Sequence, residues 1–97
     1  MGAATNHIVY EGVIVDAKTT DNKVTLFVAN TTEEPKGSDL TLRVELDPEQ
    51  SKKVKEVLYI RSKVLVEGRL EVDDKGLYIS VEEMKYKNPS IKKGEVK

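Results

Sequence analysis

Two side chains in this sequence combine ligand-holding chemistry with a phase that points them away from a core. Phe27, the only phenylalanine, lies in the run 23–30, where Val24, Leu26 and Val28 alternate with Thr25, Phe27 and Ala29. A period of two marks a strand with one apolar face, so Phe27 stands on the other. An outward aromatic ring offers a π face on which a flat group such as a nucleobase stacks. Arg43 lies in the run 39–46, where Leu40, Leu42, Val44 and Leu46 alternate with Thr41, Arg43 and Glu45. Its guanidinium can contact an anionic oxygen or stack on a planar partner. A lone outward aromatic can equally be covered by a loop, by the C-terminal segment or by a partner protein, and that alternative stays open here.

Reactive chemistry has little to work with. His7 is the only histidine and there is no cysteine. Thiol nucleophiles, disulfides, thiolate metal sites and a second histidine ligand are therefore all missing. No phosphate-cradling glycine-rich loop and no nucleophile elbow occurs. The acidic pairs Glu33-Glu34 and Asp73-Asp74 fall in polar turns, where a carboxylate has no environment to shift it toward acid–base work. The expectation is a binding protein and not an enzyme, with no metal, no cofactor and no small-molecule substrate.

Charge narrows the partners less. The formal net charge is −1, whereas domains that live on phosphate neutralisation are often distinctly basic. Charged residues make up 34% of the chain, and Gln50 is its only glutamine. Lys/Glu enrichment with few thermolabile residues is the hyperthermophile direction. Residues 1–6 carry no basic-plus-apolar signal and no run is long enough to span a bilayer, so a cytoplasmic protein without a membrane partner is expected.

The elements that must position Phe27 and Arg43 follow from the same patterning. Residues 7–17 form a first strand. Ile8, Tyr10 and Ile14 face one side and Val9, Val13 and Val15 the other, which predicts a central strand bent through Gly12. Residues 18–22 are a polar turn, 23–30 the second strand, 31–38 a surface loop with Pro35 and Gly37, and 39–46 the third strand. Asp47-Pro48-Glu49-Gln50 starts a helix: Asp47 as N-cap, Pro48 at the first helical position, Gln50 at the capping-box position. Its apolar stripe is Val54, Val57 and Leu58, and Tyr59 packs beyond it against the barrel end. Residues 63–72 form the fourth strand, with Val64, Val66, Leu70 and Val72 in phase with Gly68. Asp73 to Gly76 is a turn. Residues 77–87 form the fifth strand, with Leu77, Ile79 and Val81 inward. The domain is expected to span 7–87, with a disordered segment 1–6 before it and a loose, lysine-rich tail 88–97 after it.

The order β-β-β-α-β-β, with a glycine inside the first and fourth strands and the sequence Val66-Glu67-Gly68-Arg69-Leu70 running through a turn to Ile79-Ser80-Val81, resembles the oligonucleotide/oligosaccharide-binding fold (OB-fold). This is an all-β five-stranded Greek-key barrel with one helix. Within it, the pattern is similar to single-stranded-nucleic-acid-binding modules of the replication protein A and tRNA-anticodon-binding type. The resemblance implies a ligand on the outer face of strands two and three, flanked by the loops between strands one and two and between strands four and five. Transferred to this chain, that face is Thr25, Phe27, Thr41 and Arg43, with Lys18 and Lys23 on one side and Lys75 and Tyr78 on the other. The implied function is binding of single-stranded DNA, in preference to RNA, with little sequence preference. Phe27 and Tyr78 would stack bases, and Arg43, Lys18, Lys23 and Lys75 would contact phosphate. Asp73 and Asp74 oppose phosphate where they stand. The alternative is a protein-interaction module, a small accessory subunit of a replication-type complex. Of the other aromatics, Tyr10 belongs near the core and the face of Tyr86 is not set by the pattern. The tail lysines, from Lys85 and Lys87 to Lys92, Lys93 and Lys97, read as solvated by default.

Overall fold

The computed structural model describes residues 6–54 and 60–87. Its elements are β1 (Ile8–Thr20), β2 (Lys23–Ala29), β3 (Thr41–Glu45), α1 (Pro48–Val54), β4 (Lys63–Asp73) and β5 (Gly76–Lys87). The strands close into a barrel in the order β1-β2-β3-β5-β4. All neighbours are antiparallel except β3 and β5, which run parallel. Closure falls on β1: its first half pairs with β4 (Ile8↔Gly68 to Val13↔Lys63) and its second half with β2 (Val13↔Ala29 to Thr20↔Lys23). This is the OB-fold expected from the order of elements.

Both strand glycines are required by close backbone approach. A Cβ on Gly12 would overlap the carbonyl oxygen of Ala29, and one on Gly68 would overlap that of Ser80. A bend or bulge is the expected consequence of a strand glycine; one register shift falls at Gly68 and the other three residues beyond Gly12. The β1–β2 register shifts between Ile14 and Asp16, leaving Val15 extra, and the β4–β5 register shifts between Glu67 and Gly68. A bulge sharpens local twist, which lets a five-stranded sheet coil shut. The β1–β2 turn is tighter than the polar run 18–22 suggested. β1 continues to Thr20, and Asp21 (φ 51°) and Asn22 (φ 67°) both take the left-handed conformation of a two-residue hairpin.

The core is the inner face of the barrel, with Ile14, Leu26, Val28, Val44, Val66 and Ile79 at its centre. Tyr10 joins it, as expected, and its hydroxyl donates to the carbonyls of Val28 (2.9 Å) and Leu40 (3.2 Å). Burial pushes this phenol up from its ordinary pKa. Three residues expected inward are not. Leu40 is 61% exposed because β3 begins only at Thr41, and Val72 (71%) and Leu77 (54%) are exposed although they keep the inner phase. These two pair across β4 and β5 beside the turn, where the hairpin has run past the rim of the barrel. On β1, Val9 and Val15 are exposed, whereas Val13, expected on the same side as these two, is buried.

The helix start is as the sequence predicts. Asp47 Oδ1 accepts from the Gln50 amide (2.7 Å) and Gln50 Oε1 accepts from the Asp47 amide (3.0 Å), a complete capping box. Gln50 Nε2 also donates to the Val81 carbonyl (3.2 Å) and so ties the helix to β5. Ser51 is fully buried; its hydroxyl accepts from the Val24 amide (2.7 Å) and donates to the Leu46 carbonyl (3.5 Å). Val57, Leu58 and Tyr59 of the expected stripe lie outside the described residues, as do 1–5 and the tail 88–97. Asn6, expected in a loose segment, is fixed: its Nδ2 donates to the Leu70 carbonyl (2.7 Å) and its Oδ1 accepts from the Leu70 amide (2.9 Å). No helix among the described residues is long and apolar enough to cross a membrane.

Candidate nucleic-acid interface

The strand register builds the outer face row by row. Asp16 on β1 lies opposite Phe27 on β2, Phe27 opposite Arg43 on β3, Arg43 opposite Tyr78 on β5, and Tyr78 opposite Glu71 on β4. Two aromatic rings therefore share one row with an arginine between them. At the usual strand spacing they stand about 10 Å apart. The neighbouring row carries Lys18, Thr25, Glu45, Ser80 and Arg69 on the same five strands.

Phe27 is half-buried, with the Lys18 ammonium 5.5 Å from its ring centroid. That is within cation–π range, and it sets a positive charge beside the one aromatic of β2. Tyr78 is held differently: the Arg43 guanidinium carbon lies 4.7 Å from its ring centroid, so one face of the tyrosine is covered from within the protein. Burial and the neighbouring carboxylates Glu71, Glu45 and Asp73 raise the Tyr78 phenol above its ordinary pKa.

Arg43 is the most constrained side chain of the face. Nη1 donates to Glu45 Oε2 (2.8 Å) and Asp73 Oδ2 (3.1 Å), while Nη2 donates to Asp73 Oδ1 (2.6 Å) and the Gly76 carbonyl (3.2 Å). Its side chain is only 11% exposed. The hydrogen bond from Arg43 holds the Asp73 carboxyl below the usual range, and the same bond raises the arginine further. Asp73 Oδ1 also accepts from the Lys75 amide (2.8 Å), which fixes the turn.

The predicted residues are thus partly assembled. Lys18, Thr25, Phe27, Arg43 and Tyr78 occupy two adjacent rows at the centre. Lys75 is joined to them through Asp73. Lys23, at the tip of the β1–β2 hairpin opposite Thr20, and Thr41, opposite Ala29, lie at the two ends of β2–β3. The sequence reading missed that Arg43 is taken up by Glu45, Asp73 and Gly76. The available signal was Glu45, two positions on and on the same face. Among the described residues no group of three or more His, Cys, Asp or Glu is arranged to hold a metal ion. His7 lies 3.3 Å from Glu67, half exposed, at the start of β1.

No protein-family model matches this sequence and no curated protein matches it. Solved structures match its fold. The chain is similar to the mitochondrial single-stranded DNA binding protein Rim1 of S. cerevisiae, at 13% identity and a TM-score of 0.71, covering 90% of this chain and 100% of that one. It is similar to the small single-stranded DNA-binding protein of Streptomyces coelicolor, at 17% identity and a TM-score of 0.67, over 88% of this chain and 96% of that one. A chain of the S. pombe Stn1–Ten1 complex aligns at 18% identity and a TM-score of 0.68, over 88% of this chain but 60% of its own length. At such identities the likeness establishes the OB-fold.

Proposed function

We propose that this chain is a binding module, not an enzyme, for single-stranded nucleic acid, DNA in preference to RNA, with little sequence preference. The observation that carries the reading is the row Phe27–Arg43–Tyr78 on the outer face of β2, β3 and β5. Bases that are already unpaired can lay their π faces on such platforms whatever their identity. Phe27 is the main platform, and Tyr78 offers the ring face that Arg43 leaves free. Lys18, Lys23 and Lys75 supply phosphate contacts around the aromatic row, and the hydroxyls of Thr25 and Thr41 line the face. The similar structures described as single-stranded DNA-binding proteins support the ligand class.

The test is a titration with labelled single-stranded oligo(dT) at low and high salt, beside the same length of duplex. Single strand should bind and duplex bind far less, because stacking needs splayed bases. Phe27→Ala should weaken binding by about 1–3 kcal/mol without lowering thermal stability. Absence of binding by the intact chain even at low salt overturns the reading. The alternative is then the better account: a protein-interaction module, favoured by the compensated charge around Arg43 and by the exposed Val72 and Leu77.

A further inference from the structure

We infer that Arg43 is a positioning residue: it clamps the β4–β5 hairpin to β3 so that Tyr78 is presented, and it makes no contact with ligand phosphate. The binding arm of this inference rests on the reading above; its structural arm does not.

Arg43 stands where the hairpin leaves the barrel. The parallel pairing of β3 with β5 consists of Arg43↔Tyr78, Val44↔Ile79 and Glu45↔Ser80, and Arg43 is its last rung toward the turn. Past that rung β4 and β5 pair only with each other, and the inner face of the projection, Val72 and Leu77, is largely exposed. Few apolar contacts hold this segment, the condition under which a hairpin opens locally. Arg43 compensates by gripping both sides of the turn, the carboxylate of Asp73 at the end of β4 and the carbonyl of Gly76 at the start of β5. The two bonds to Asp73 form a parallel fork, the geometry that gives an arginine–carboxylate pair its direction as well as its strength.

Little of Arg43 is left for a phosphate in this arrangement. Four bonds use the N–H groups of both terminal nitrogens and Tyr78 covers one face of the guanidinium, so of its five N–H donors only Nε–H stands outside these bonds. Electrostatics points the same way. One guanidinium faces two carboxylates, Glu45 and Asp73, so its positive charge is more than compensated where it stands. A strand lying here turns its bases inward, onto Phe27 and the open side of Tyr78, and its phosphates outward toward Lys18, Lys23 and Lys75.

Two accounts of Arg43 predict opposite signs for Asp73 variants. Asp73→Ala removes the fork together with the bond from the Lys75 amide. Asp73→Asn keeps an acceptor for that amide and loses the charged fork, so it isolates the clamp. The full chain is read by amide hydrogen exchange over residues 73–78 and by oligo(dT) affinity at low and high salt, with thermal unfolding to verify the fold. The clamp requires faster exchange in both Asp73 variants and in Arg43→Lys, which cannot form the fork. It also requires a roughly five- to tenfold loss of affinity with an unchanged salt slope. Higher affinity with a steeper slope, by about one phosphate contact, would mean that Asp73 merely masks a phosphate ligand, and overturns the inference. Wild-type exchange in Asp73→Asn overturns it as well. If the wild-type chain binds no oligo(dT), the nucleic-acid reading fails separately, and the exchange data alone decide whether Arg43 is a clamp.

Discussion

The two ends of the barrel are ordered by different means. At the helix end, α1 is capped by its own Asp47 and Gln50, Val54 enters the core, and Ser51 and Gln50 bond to β2, Leu46 and β5. Among the described residues no buried side-chain polar atom is left without a partner. At the hairpin end, β4 and β5 project beyond the core with Val72 and Leu77 in solvent, and one arginine holds the turn through ionic bonds. The helix end closes the fold, and the hairpin end carries the candidate interface. Substitutions at the first should change stability and spare binding; substitutions at the second should do the reverse.

The largest effect is expected from Leu46→Ala. Leu46 is fully buried between the end of β3 and α1, and truncating such a side chain costs about 2–5 kcal/mol through lost transfer energy and the cavity left behind. Urea denaturation gives this number directly. Leu42→Ala, on β3, serves as the control, with a smaller loss, because Leu42 is only partly buried. Oligo(dT) affinity of the folded fraction should not move in either variant. A Leu46→Ala protein that unfolds no more easily than Leu42→Ala would remove the basis for separating the two ends.

Next comes Ser51→Ala. It takes the acceptor from the buried Val24 amide, and an orphaned buried donor costs about 1–3 kcal/mol. Asp47→Ala follows at about 0.5–2 kcal/mol, since it undoes one half of the capping box. Denaturation midpoints of the two single variants and the double variant test whether cap and buried hydroxyl act together. They lie within one turn of each other, so the two losses should not simply add.

The same contrast explains what could be read from the residues alone. Asp47 and Gln50 are legible because capping is local: donor and acceptor lie three positions apart and the residue types suffice. The inward sets of β2 and β4 are legible because period two reports phase. Phase does not report where a barrel stops, which is why Val72 and Leu77 keep the inner register and still face solvent. Ser51 was not legible, because a serine inside a helix is ordinarily solvated; only the passage of β2 across α1 gives it the Val24 amide. At the interface, the outward direction of Phe27 followed from its neighbours. The engagement of Arg43 did not, because Asp73 lies 30 residues on, past α1 at the far end of β4, and meets it only where β5 runs parallel to β3.

The smallest effect expected is the response of the hairpin to acid, and it probes the weaker end alone. Asp73 faces Arg43 and Glu45 from β3, Tyr78 from β5, Glu71 from β4 and Lys75 from the turn. The hydrogen bond from Arg43 lowers its pKa most, the Lys75 amide and the two positive charges add to this, and partial desolvation works against it. A folded pKa below the ordinary 3.8 means that ionised Asp73 favours the closed hairpin. That contribution is fully present above the ordinary value and is lost as pH falls through the folded one. Because the pair is partly solvated and sits outside the core, protonation should open residues 73–78 without moving the global unfolding midpoint measurably. An NMR titration of the Asp73 side-chain carbon and the Gly76 amide checks both statements. The carbon should titrate below the ordinary carboxylate value, the Gly76 amide should shift with it, and in Asp73→Asn the Gly76 response should disappear. A carbon that titrates at or above the ordinary value would show that the fork does not form in solution, and the hairpin end would then need another anchor.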